Sequence, residues 1–263
     1  MGQKLRSVLQ PIVDGETGQV VAHEALLRGP RGTPWESPDV LFQSAIRLGH
    51  QTMLEANARR LAVSRLEHLP SHQRLFINVD CLSPDLPLAP GQAHIPPARI
   101  VLEISERQSI IDNPSLLAQA ARWRAAGFAI ALDDYGAGFM GPGALLKLRP
   151  DILKLDRVIV SGISGDPMHH TVVCNIVNMA QSLNIGVVAE GVETPEEFWR
   201  LRDCGVRLMQ GYLLGRPQDE PISDAVAIPG RPASWEALEL MVDLRARVGQ
   251  AQRPLAGQRW EHA

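Results

Sequence analysis

Cysteine is scarce in this sequence of 263 residues. It occurs at Cys81, Cys174 and Cys204, an odd number without the paired spacing of a zinc motif. Small secreted domains are commonly held together by several disulfides, and three scattered cysteines do not make such a framework. The scarcity argues against a disulfide-rich secreted scaffold and favours a reducing cytoplasm.

The chain also lacks a large excess of charge and any long apolar run. Its formal net charge is -3 and its pI is about 6.2, so no broad cationic surface is expected for a nucleic-acid polymer. No apolar run could span a bilayer, and Met1 to Gln10 lacks the apolar core of a signal peptide. The sequence predicts a soluble piece that could be cut from a longer protein. Any phosphate ligand would have to be bound locally, which leaves room for a small phosphorylated ligand.

The composition itself is that of an ordinary globular protein, with 45% hydrophobic and 21% charged residues. The length allows two domains, but α/β barrels commonly reach this size as one. We expect residues 1–225 to form one barrel. Residues 226–263 are expected to be a C-terminal helix and tail, with an amphipathic helix from Trp235 to Val248.

Eight short β-like segments can be read, most of them followed by a helical pattern. They are Val8–Val13, Val20–Leu27, Leu75–Val79, Ile100–Ile104, Ala129–Asp133, Ile152–Leu155, Gly186–Ala189 and Val206–Gln210. Residues 14–18 form a turn too short for a crossover helix, so the first two segments should pair as an antiparallel hairpin. Both a doubly wound sheet and an eight-stranded barrel fit this alternation.

Helix starts are marked by a capping side chain before proline, at Asn113, Asp166 and Thr194. The helix expected between Asp166 and Asn184 carries apolar residues at helical spacing. We expect all of them to pack on the barrel: Val172, Val173, Ile176, Val177, Ala180 and Leu183.

Polar residues recur in or just after the predicted strands, and they favour the barrel. These residues are Glu24, Asn78, Glu103, Asp133, Asp134, Lys154, Glu190 and Gln210. Alternation places Glu103 on the face of Val101 and Asp133 on the face of Ala131, so both carboxylates can point inward. A barrel gathers the C-terminal ends of its strands in one mouth. The predicted fold is therefore α/β, a single (β/α)8 TIM-type barrel with an antiparallel first strand.

Five acidic groups in one mouth would repel one another unless cations neutralised them. Carboxylates with an amide oxygen, and without cysteine or a histidine pair, favour hard ions such as Mg²⁺ or Mn²⁺. Two such ions can stabilise the attacking and leaving oxygens of a displacement at phosphorus.

Eight ordered motifs complete the pattern, and together they resemble the EAL-domain cyclic di-GMP phosphodiesterases. The similarity runs from Leu9 to about Pro217. It is carried by the segments Gln10-Pro11-Ile12-Val13, Glu24-Ala25-Leu26, Asn78-Val79, Glu103-Ile104-Ser105-Glu106, Asp133-Asp134-Tyr135-Gly136, Lys154-Leu155-Asp156, Ala189-Glu190-Gly191-Val192-Glu193 and Gln210-Gly211-Tyr212.

The resemblance implies hydrolysis of cyclic di-GMP to linear pGpG by a metal-activated water, with two divalent ions, Mg²⁺ or Mn²⁺. It implies Glu24, Asn78, Glu103 and Asp133 as ligands of one ion, and Asp133, Asp134 and Glu190 as ligands of the other. The catalytic group would be Lys154, Glu24 and Gln210, the substrate group Arg28, Gln10 and Leu27, and the supporting group Glu106, Glu193 and Asp156. A homodimer is also implied, with its contact near residues 136–143 and the following helix, where Phe139, Met140, Leu145 and Leu146 would supply apolar surface.

Other interpretations stay open. Lys154 could pair with Asp151 or Asp156, and Arg28 could belong to a surface ion pair. The loop after Asp134 lacks the hydroxyl residues usual in the family, which bears on rate and regulation. The rival function is a catalytically weak cyclic di-GMP receptor that signals through a partner, and the sequence identifies neither such a partner nor an attached sensory domain.

Overall fold

A computed structural model of the chain describes residues 4–79, 95–105, 110, 112–138 and 141–232. In this part of the chain, eight strands close into a barrel in sequence order. They are β1 (Arg6–Asp14), β2 (Val20–Arg28), β3 (Arg74–Asn78), β4 (Ile100–Ser105), β5 (Ala129–Tyr135), β6 (Ile152–Leu155), β7 (Gly186–Ala189) and β8 (Leu208–Met209). The predicted single barrel is confirmed.

The first strand is the exception to parallel order. Strands β1 and β2 pair antiparallel with Gln10 opposite Glu24, as the short turn between them predicts. All neighbours from β2 to β8 pair parallel. Strand β8 is shorter than predicted, and it closes the barrel by pairing antiparallel with Val13 and Asp14 at the end of β1.

Seven α-helices surround the described barrel: α1 (Pro38–Arg47), α2 (Gln51–Arg65), α3 (Pro114–Ala125), α4 (Pro142–Leu148), α5 (Arg157–Val160), α6 (Pro167–Ser182) and α7 (Pro195–Asp203). Three short 3₁₀ turns are Pro34–Glu36, Leu66–His68 and Pro97–Arg99. The predicted caps of α3, α6 and α7 are confirmed, since Asn113, Asp166 and Thr194 each accept a hydrogen bond from a backbone N–H in the first turn. None of the described helices has the length and apolarity needed to cross a bilayer.

The apolar face of α6 is narrower than predicted. Val173, Val177 and Ala180 are buried against the barrel. Val172 is 45% exposed and Leu183 is 51% exposed, so their assignment to the core was wrong. Val172 lies one residue, or about 100° of helix rotation, from the buried line of α6, and Leu183 follows the end of the helix.

Inside the barrel lies a separate apolar cluster built from inward-facing strand residues. Its buried members are Ile12, Ala22, Phe76, Val101, Ala131, Ile152 and Val188. Strand residues facing the other way pack with the helices in the larger outer core. A TIM-type barrel is filled by such layers of side chains, and this layer forms the floor of the mouth above it.

An extended segment after β8 fastens the hairpin to the rest of the barrel. Leu9 and Gln218 exchange two backbone hydrogen bonds, the N–H of Val20 donates to the carbonyl of Asp224, and the N–H of Val226 donates to the carbonyl of Gly18. The chain divides into two compact units, Met1–Ile228 and Pro229–Ala263. The helix expected from Trp235 to Val248 lies outside the described residues.

The structure joins Cys174 and Cys204 in a disulfide, which the sequence spacing does not predict. The two residues are 30 positions apart, but Cys174 lies on α6 and Cys204 directly follows α7. These helices contact each other on the outside of the barrel. The pairing therefore comes from the order of helices around the barrel, which spacing alone does not reveal.

Candidate active site

The candidate site lies one layer above the inner apolar cluster. Each polar residue lies two positions after a residue of the inner apolar cluster or of its partly buried edge. Because side chains alternate along a strand, each polar residue therefore faces inward as well. The pairs are Ala22 and Glu24, Phe76 and Asn78, Val101 and Glu103, Ala131 and Asp133, Ile152 and Lys154, Val188 and Glu190, and Leu208 and Gln210. The predicted inward orientation of Glu103 and Asp133 is what the structure shows.

Lys154 stands at the centre of this layer and is fully buried. Its ammonium forms ion pairs with Glu24 at 3.4 Å and Asp133 at 3.0 Å, and with Glu103 and Glu190. The two suggested surface partners are engaged elsewhere: Asp151 accepts from the N–H of Ile130, and Asp156 accepts from the N–H of Val158. Lys154 is thus the shared cation of four carboxylates, which come from β2, β4, β5 and the residue after β7.

Amide side chains hold the buried carboxylates from the sides. The amide of Asn78 donates to Glu24 and to Glu103, both at 3.1 Å. The amide of Gln210 donates to Glu24 at 2.7 Å and to Gln10 at 3.1 Å. These contacts hold Glu24 from the neighbouring strand β3 and from the residue that follows β8.

The carboxylates strongly affect one another's ionisation. Burial, followed by the charge of Glu24, raises the pKa of Glu103 well above its usual value. Burial also raises the pKa of Glu190, to about 8, with a further contribution from Asp133. Burial alone would lower the pKa of Lys154, but the surrounding carboxylates, first that of Asp133, raise it well above its usual value. The single ammonium of Lys154 cannot neutralise all four carboxylates, so a surplus of negative charge remains in the mouth.

Three carboxylates form a compact group at the rim. Oxygens of Asp133, Asp134 and Glu190 all lie within 4.8 Å of one another. Asp134 has a left-handed backbone with φ 58, a conformation that side-chain-bearing residues adopt rarely and often at functional sites. The hydroxyl of Ser105 donates to Asp134 at 2.8 Å. Oxygen ligands, close grouping and the raised pKa of Glu190 all fit hard divalent cations.

Ser105 was missed as a positioning residue by the sequence analysis. It follows Glu103 by two positions and lies opposite Asp133 in the register of β4 and β5. Alternation along β4 could have placed it in the mouth, but alternation does not predict the left-handed backbone of Asp134, to which it donates.

Two neighbouring cavities open around the site and share Leu26. The cavity over the carboxylates has a volume of about 300 Å³, and its lining includes Gln10, Glu24 and Tyr212. The adjoining cavity, of about 310 Å³, is lined by Leu27, Arg28 and Asn78 among others. Leu27 also packs against Ala45 and Leu54 of α1 and α2, and Leu26, on the same face as Glu24, was missed by the sequence analysis.

Arg28, Asp156 and Glu193 line these cavities. The guanidinium of Arg28 donates to the carbonyl of Leu27 at 2.8 Å, and burial lowers its pKa. Asp156 caps α5 and lines the mouth. Glu193 accepts from Arg157 at 3.1 Å, whereas Glu106 lies outside the described residues.

The surface expected at the dimer contact is only partly apolar. Leu146 on α4 is 73% exposed, but Leu145 is 4% exposed and belongs to the outer core. The expectation that Leu145 supplies surface is therefore wrong, since the helix turns it toward the barrel. Phe139 and Met140 lie outside the described residues.

Comparisons with known proteins agree with this geometry. The family model described as EAL domain matches residues 2–217. The chain is 34% identical to a protein of Escherichia coli strain K12 named Probable cyclic di-GMP phosphodiesterase PdeD, over 82% of this chain and 41% of that protein. It is 32% identical to Cyclic di-GMP phosphodiesterase NbdA of Pseudomonas aeruginosa, over 79% of this chain and 28% of that protein. The chain thus spans less than half the length of these relatives.

Among solved structures, the chain is similar to BlrP1 of Klebsiella pneumoniae, described as a manganese/cy-diGMP complex at pH 6. The TM-score is 0.76 at 31% identity, covering 85% of this chain and 58% of that chain.

Proposed function

Because this chain belongs to the EAL domain family, we propose that it is a metal-dependent phosphodiesterase that hydrolyses cyclic di-GMP to linear pGpG. The observation that carries the proposal is the complete set of carboxylates around Lys154, with Asn78 and Gln210 holding Glu24. A receptor that only binds the nucleotide would gain nothing from so many mutually repelling acids. Relatives named cyclic di-GMP phosphodiesterases support the choice of substrate.

The proposed cofactors are two divalent cations, Mg²⁺ or Mn²⁺. Glu24, Asn78, Glu103 and Asp133 would hold one cation, and Asp133, Asp134 and Glu190 would hold the other. When bound, the cations would supply Lewis-acid stabilisation of charge at the phosphodiester and a more acidic water. The raised pKa values of Glu103 and Glu190 support this assignment, because a cation would relieve the repulsion that keeps these groups from ionising together.

The remaining groups of the mouth are proposed to position the reactants. Lys154, protonated among the carboxylates, would donate a hydrogen bond to the attacking water and keep it in line with the phosphorus. Gln210, which donates to Glu24 and Gln10, would keep Glu24 oriented toward the mouth. Together these contacts replace mobile water by fixed dipoles around the reacting group.

The substrate is proposed to extend across both cavities, which meet at Leu26. Arg28, half-buried beside the second cavity, would clamp a phosphate with its planar guanidinium. Gln10 and Leu27 would line the same path. Asp156 and Glu193 would support the mouth from outside the cation ligands, as would Glu106.

Several wider assignments are part of the same proposal. The catalytic unit would be residues 1–225, with residues 226–263 as a separate C-terminal helix and tail. The protein would act in the cytoplasm as a homodimer, on a small nucleotide rather than on a nucleic-acid polymer. The altered loop 136–143 would set the rate of turnover more than the identity of the substrate.

The test is to incubate the purified chain with cyclic di-GMP and either Mg²⁺ or Mn²⁺, and to separate the nucleotides by chromatography. We expect linear pGpG to form with at least one cation, and a chelator to abolish its formation. Tight binding of an intact cyclic dinucleotide with both cations would overturn the proposal in favour of the receptor function. Absence of both binding and hydrolysis would exclude cyclic di-GMP as the ligand.

A further inference from the structure

A second group of ligand-type side chains lies outside the mouth, on the exterior of the barrel. His170 and Cys174 are four residues apart on α6 and therefore lie on the same face of the helix. Cys204 directly follows α7, and its sulfur lies 3.7 Å from the carbonyl oxygen of His170. One potential ligand atom from each of the three residues lies within 4.8 Å of the other two. None of the three takes part in the proposed hydrolysis.

The separations are close to those of a tetrahedral zinc site. Nε2 of His170 lies 3.7 Å from Sγ of Cys174. Zinc bonds of about 2.3 Å to sulfur and about 2.0 Å to nitrogen place these two atoms about 3.5 Å apart in a tetrahedron, and two sulfurs about 3.8 Å apart. The Nε2 atom of His170 therefore already lies near the distance from Sγ of Cys174 that a zinc site requires. The two sulfurs, now bonded to each other, would have to move apart by side-chain rotation after reduction.

The surroundings suit a soft divalent cation. Burial, with a smaller contribution from the charge of Arg200, lowers the pKa of His170. Cys204 is 7% exposed, and Cys174 is partly buried against the outer core. Two thiolates and an imidazole select zinc over the hard ions that suit the carboxylate mouth.

The alternative states of the two sulfurs depend on the redox environment. Where thiols are kept reduced, a cysteine pair of this kind is more often a metal site than a stable disulfide. The cysteines need to be thiolates to bind a metal, and neither sulfur of a disulfide is one. The same three residues can therefore exist as a dithiol that binds a metal or as a disulfide that does not.

We propose that in the reduced chain His170, Cys174 and Cys204 bind one Zn²⁺ on the outside of the barrel, and that oxidation to the Cys174–Cys204 disulfide releases it. Water would fill the fourth position. With hydrogen peroxide as oxidant, the two thiolates form the sulfur–sulfur bond and give two electrons to the peroxide. The O–O bond breaks, and two protons from solvent complete two molecules of water.

The test uses the whole chain, first reduced and freed of reductant, then mixed with Co²⁺ as a spectroscopic probe or with Zn²⁺. Thiolate ligands give cobalt a charge-transfer absorption in the near ultraviolet, which carboxylates of the mouth cannot produce. We expect this absorption in the reduced parent, its loss on peroxide treatment, and about one more zinc per chain in the reduced than in the oxidised protein after gel filtration.

Substitutions then assign the ligands. Cys174→Ser should abolish the cobalt absorption, and His170→Ala should weaken zinc binding by at least tenfold, on the order of 1.4 kcal/mol. Cys81→Ser, at the remaining cysteine, should leave both signals unchanged. A reduced parent without the absorption would overturn the proposal, as would a Cys174→Ser protein that keeps it. The comparison of reduced and oxidised parent needs no substitution and no nucleotide, so it is independent of the proposed hydrolysis.

Discussion

At the scale of single residues, the mouth of the barrel is governed by a deficit of positive charge. Lys154 is paired with four carboxylates and is fully buried, and Asp134 adds a fifth acid at the rim. Charges removed from water are costly unless they are paired. The residues of this site therefore depend on one another for charge pairing and, under the proposed function, on bound cations.

Replacing Glu24 by Gln, or Asp133 by Asn, should lower turnover of cyclic di-GMP by at least about 100-fold, because each change removes a ligand charge at nearly constant size. The measurement is the rate of pGpG formation at saturating Mg²⁺ or Mn²⁺. Glu16→Gln is the matched control. Glu16 is exposed in the hairpin turn at the opposite end of the barrel. The Glu16→Gln variant should therefore form pGpG at the parental rate. Near-parental rates in Glu24→Gln would exclude Glu24 from the ligand set.

Lys154→Ala should lower kcat by at least about 100-fold and change KM by less than about threefold, since the proposed role of Lys154 concerns the attacking water. Steady-state kinetics with either cation gives the split between kcat and KM. Circular dichroism shows whether the variant folds without its buried ammonium, and Lys4→Ala at an exposed lysine is the control. An unchanged kcat with a raised KM would instead place Lys154 in substrate binding.

At the scale of strands and helices, alternation is what makes the site predictable. A residue two positions beyond an apolar inward residue must also face inward, which is why Glu103 and Asp133 could be placed from Val101 and Ala131. The pairing of Lys154 could not be placed in the same way. Its partners come from β2, β4, β5 and the residue after β7, whereas the local sequence offered Asp151 or Asp156 as alternative partners.

Local sequence also failed to predict two features on the outside of the barrel, namely the exposure of Val172 and the pairing of Cys174 with Cys204. Helical spacing identified α6, but it could not decide how wide a stripe the barrel would cover, so Val172 was placed in the core. The disulfide between Cys174 and Cys204 depends on α6 and α7 being neighbours. That information is in the topology and is not visible in the spacing of the cysteines.

The segment after β8 contains a contact that depends on pH. His23 on β2 is fully buried, and its Nε2 accepts a hydrogen bond from the N–H of Ile222 at 3.1 Å. Burial lowers the pKa of His23 from 6.5 to about 4. The folded state therefore requires a neutral imidazole, whereas the unfolded chain takes up a proton below pH 6.5.

The stability that His23 contributes depends on pH, because its pKa is lower in the folded protein than in the unfolded chain. The contribution of His23 to the free energy of unfolding is complete above pH 6.5. It is lost as the pH falls toward 4, and it changes no further below that pH. At pH 4.5 the parent should have lost about 2 to 3 kcal/mol of unfolding free energy through this residue. His23→Gln, which keeps an acceptor but cannot be protonated, should lack this part of the loss.

Urea unfolding at pH 7, 5.5 and 4.5 measures the effect as a difference between parent and variant. His72→Gln, at an exposed histidine in the turn before β3, should show the full parental dependence. Equal losses of unfolding free energy in the parent and in His23→Gln would show that His23 has the same pKa in the folded and unfolded states.

At the scale of the whole molecule, the barrel brings residues from eight strands into one mouth, and this convergence could be predicted because polar residues end the strands in order. The proposed assembly is a separate matter. Family resemblance places the dimer contact near α4, and of the residues expected there the structure exposes Leu146 and buries Leu145. Leu146 is therefore the residue on which the prediction rests.

Leu146→Glu should convert the proposed homodimer to a monomer, because a charge would have to be desolvated in an apolar contact. Leu146 is 73% exposed, so the substitution should leave the fold of the barrel intact. Helix α4 follows the loop that leads from Asp133 and Asp134, and loss of the contact should also lower turnover by at least about threefold by loosening that loop. Light scattering and product formation are measured on the same sample.

Leu48→Glu provides the matched control, since Leu48 is 69% exposed at the end of α1 and lies in a different part of the sequence from α4. This protein should keep the parental mass and the parental rate. A Leu146→Glu protein that stays dimeric would exclude this face of α4 from the interface. A monomeric Leu146→Glu protein as active as the parent would show that assembly and catalysis are independent, because Asp133 and Asp134 would then keep their positions without a partner subunit.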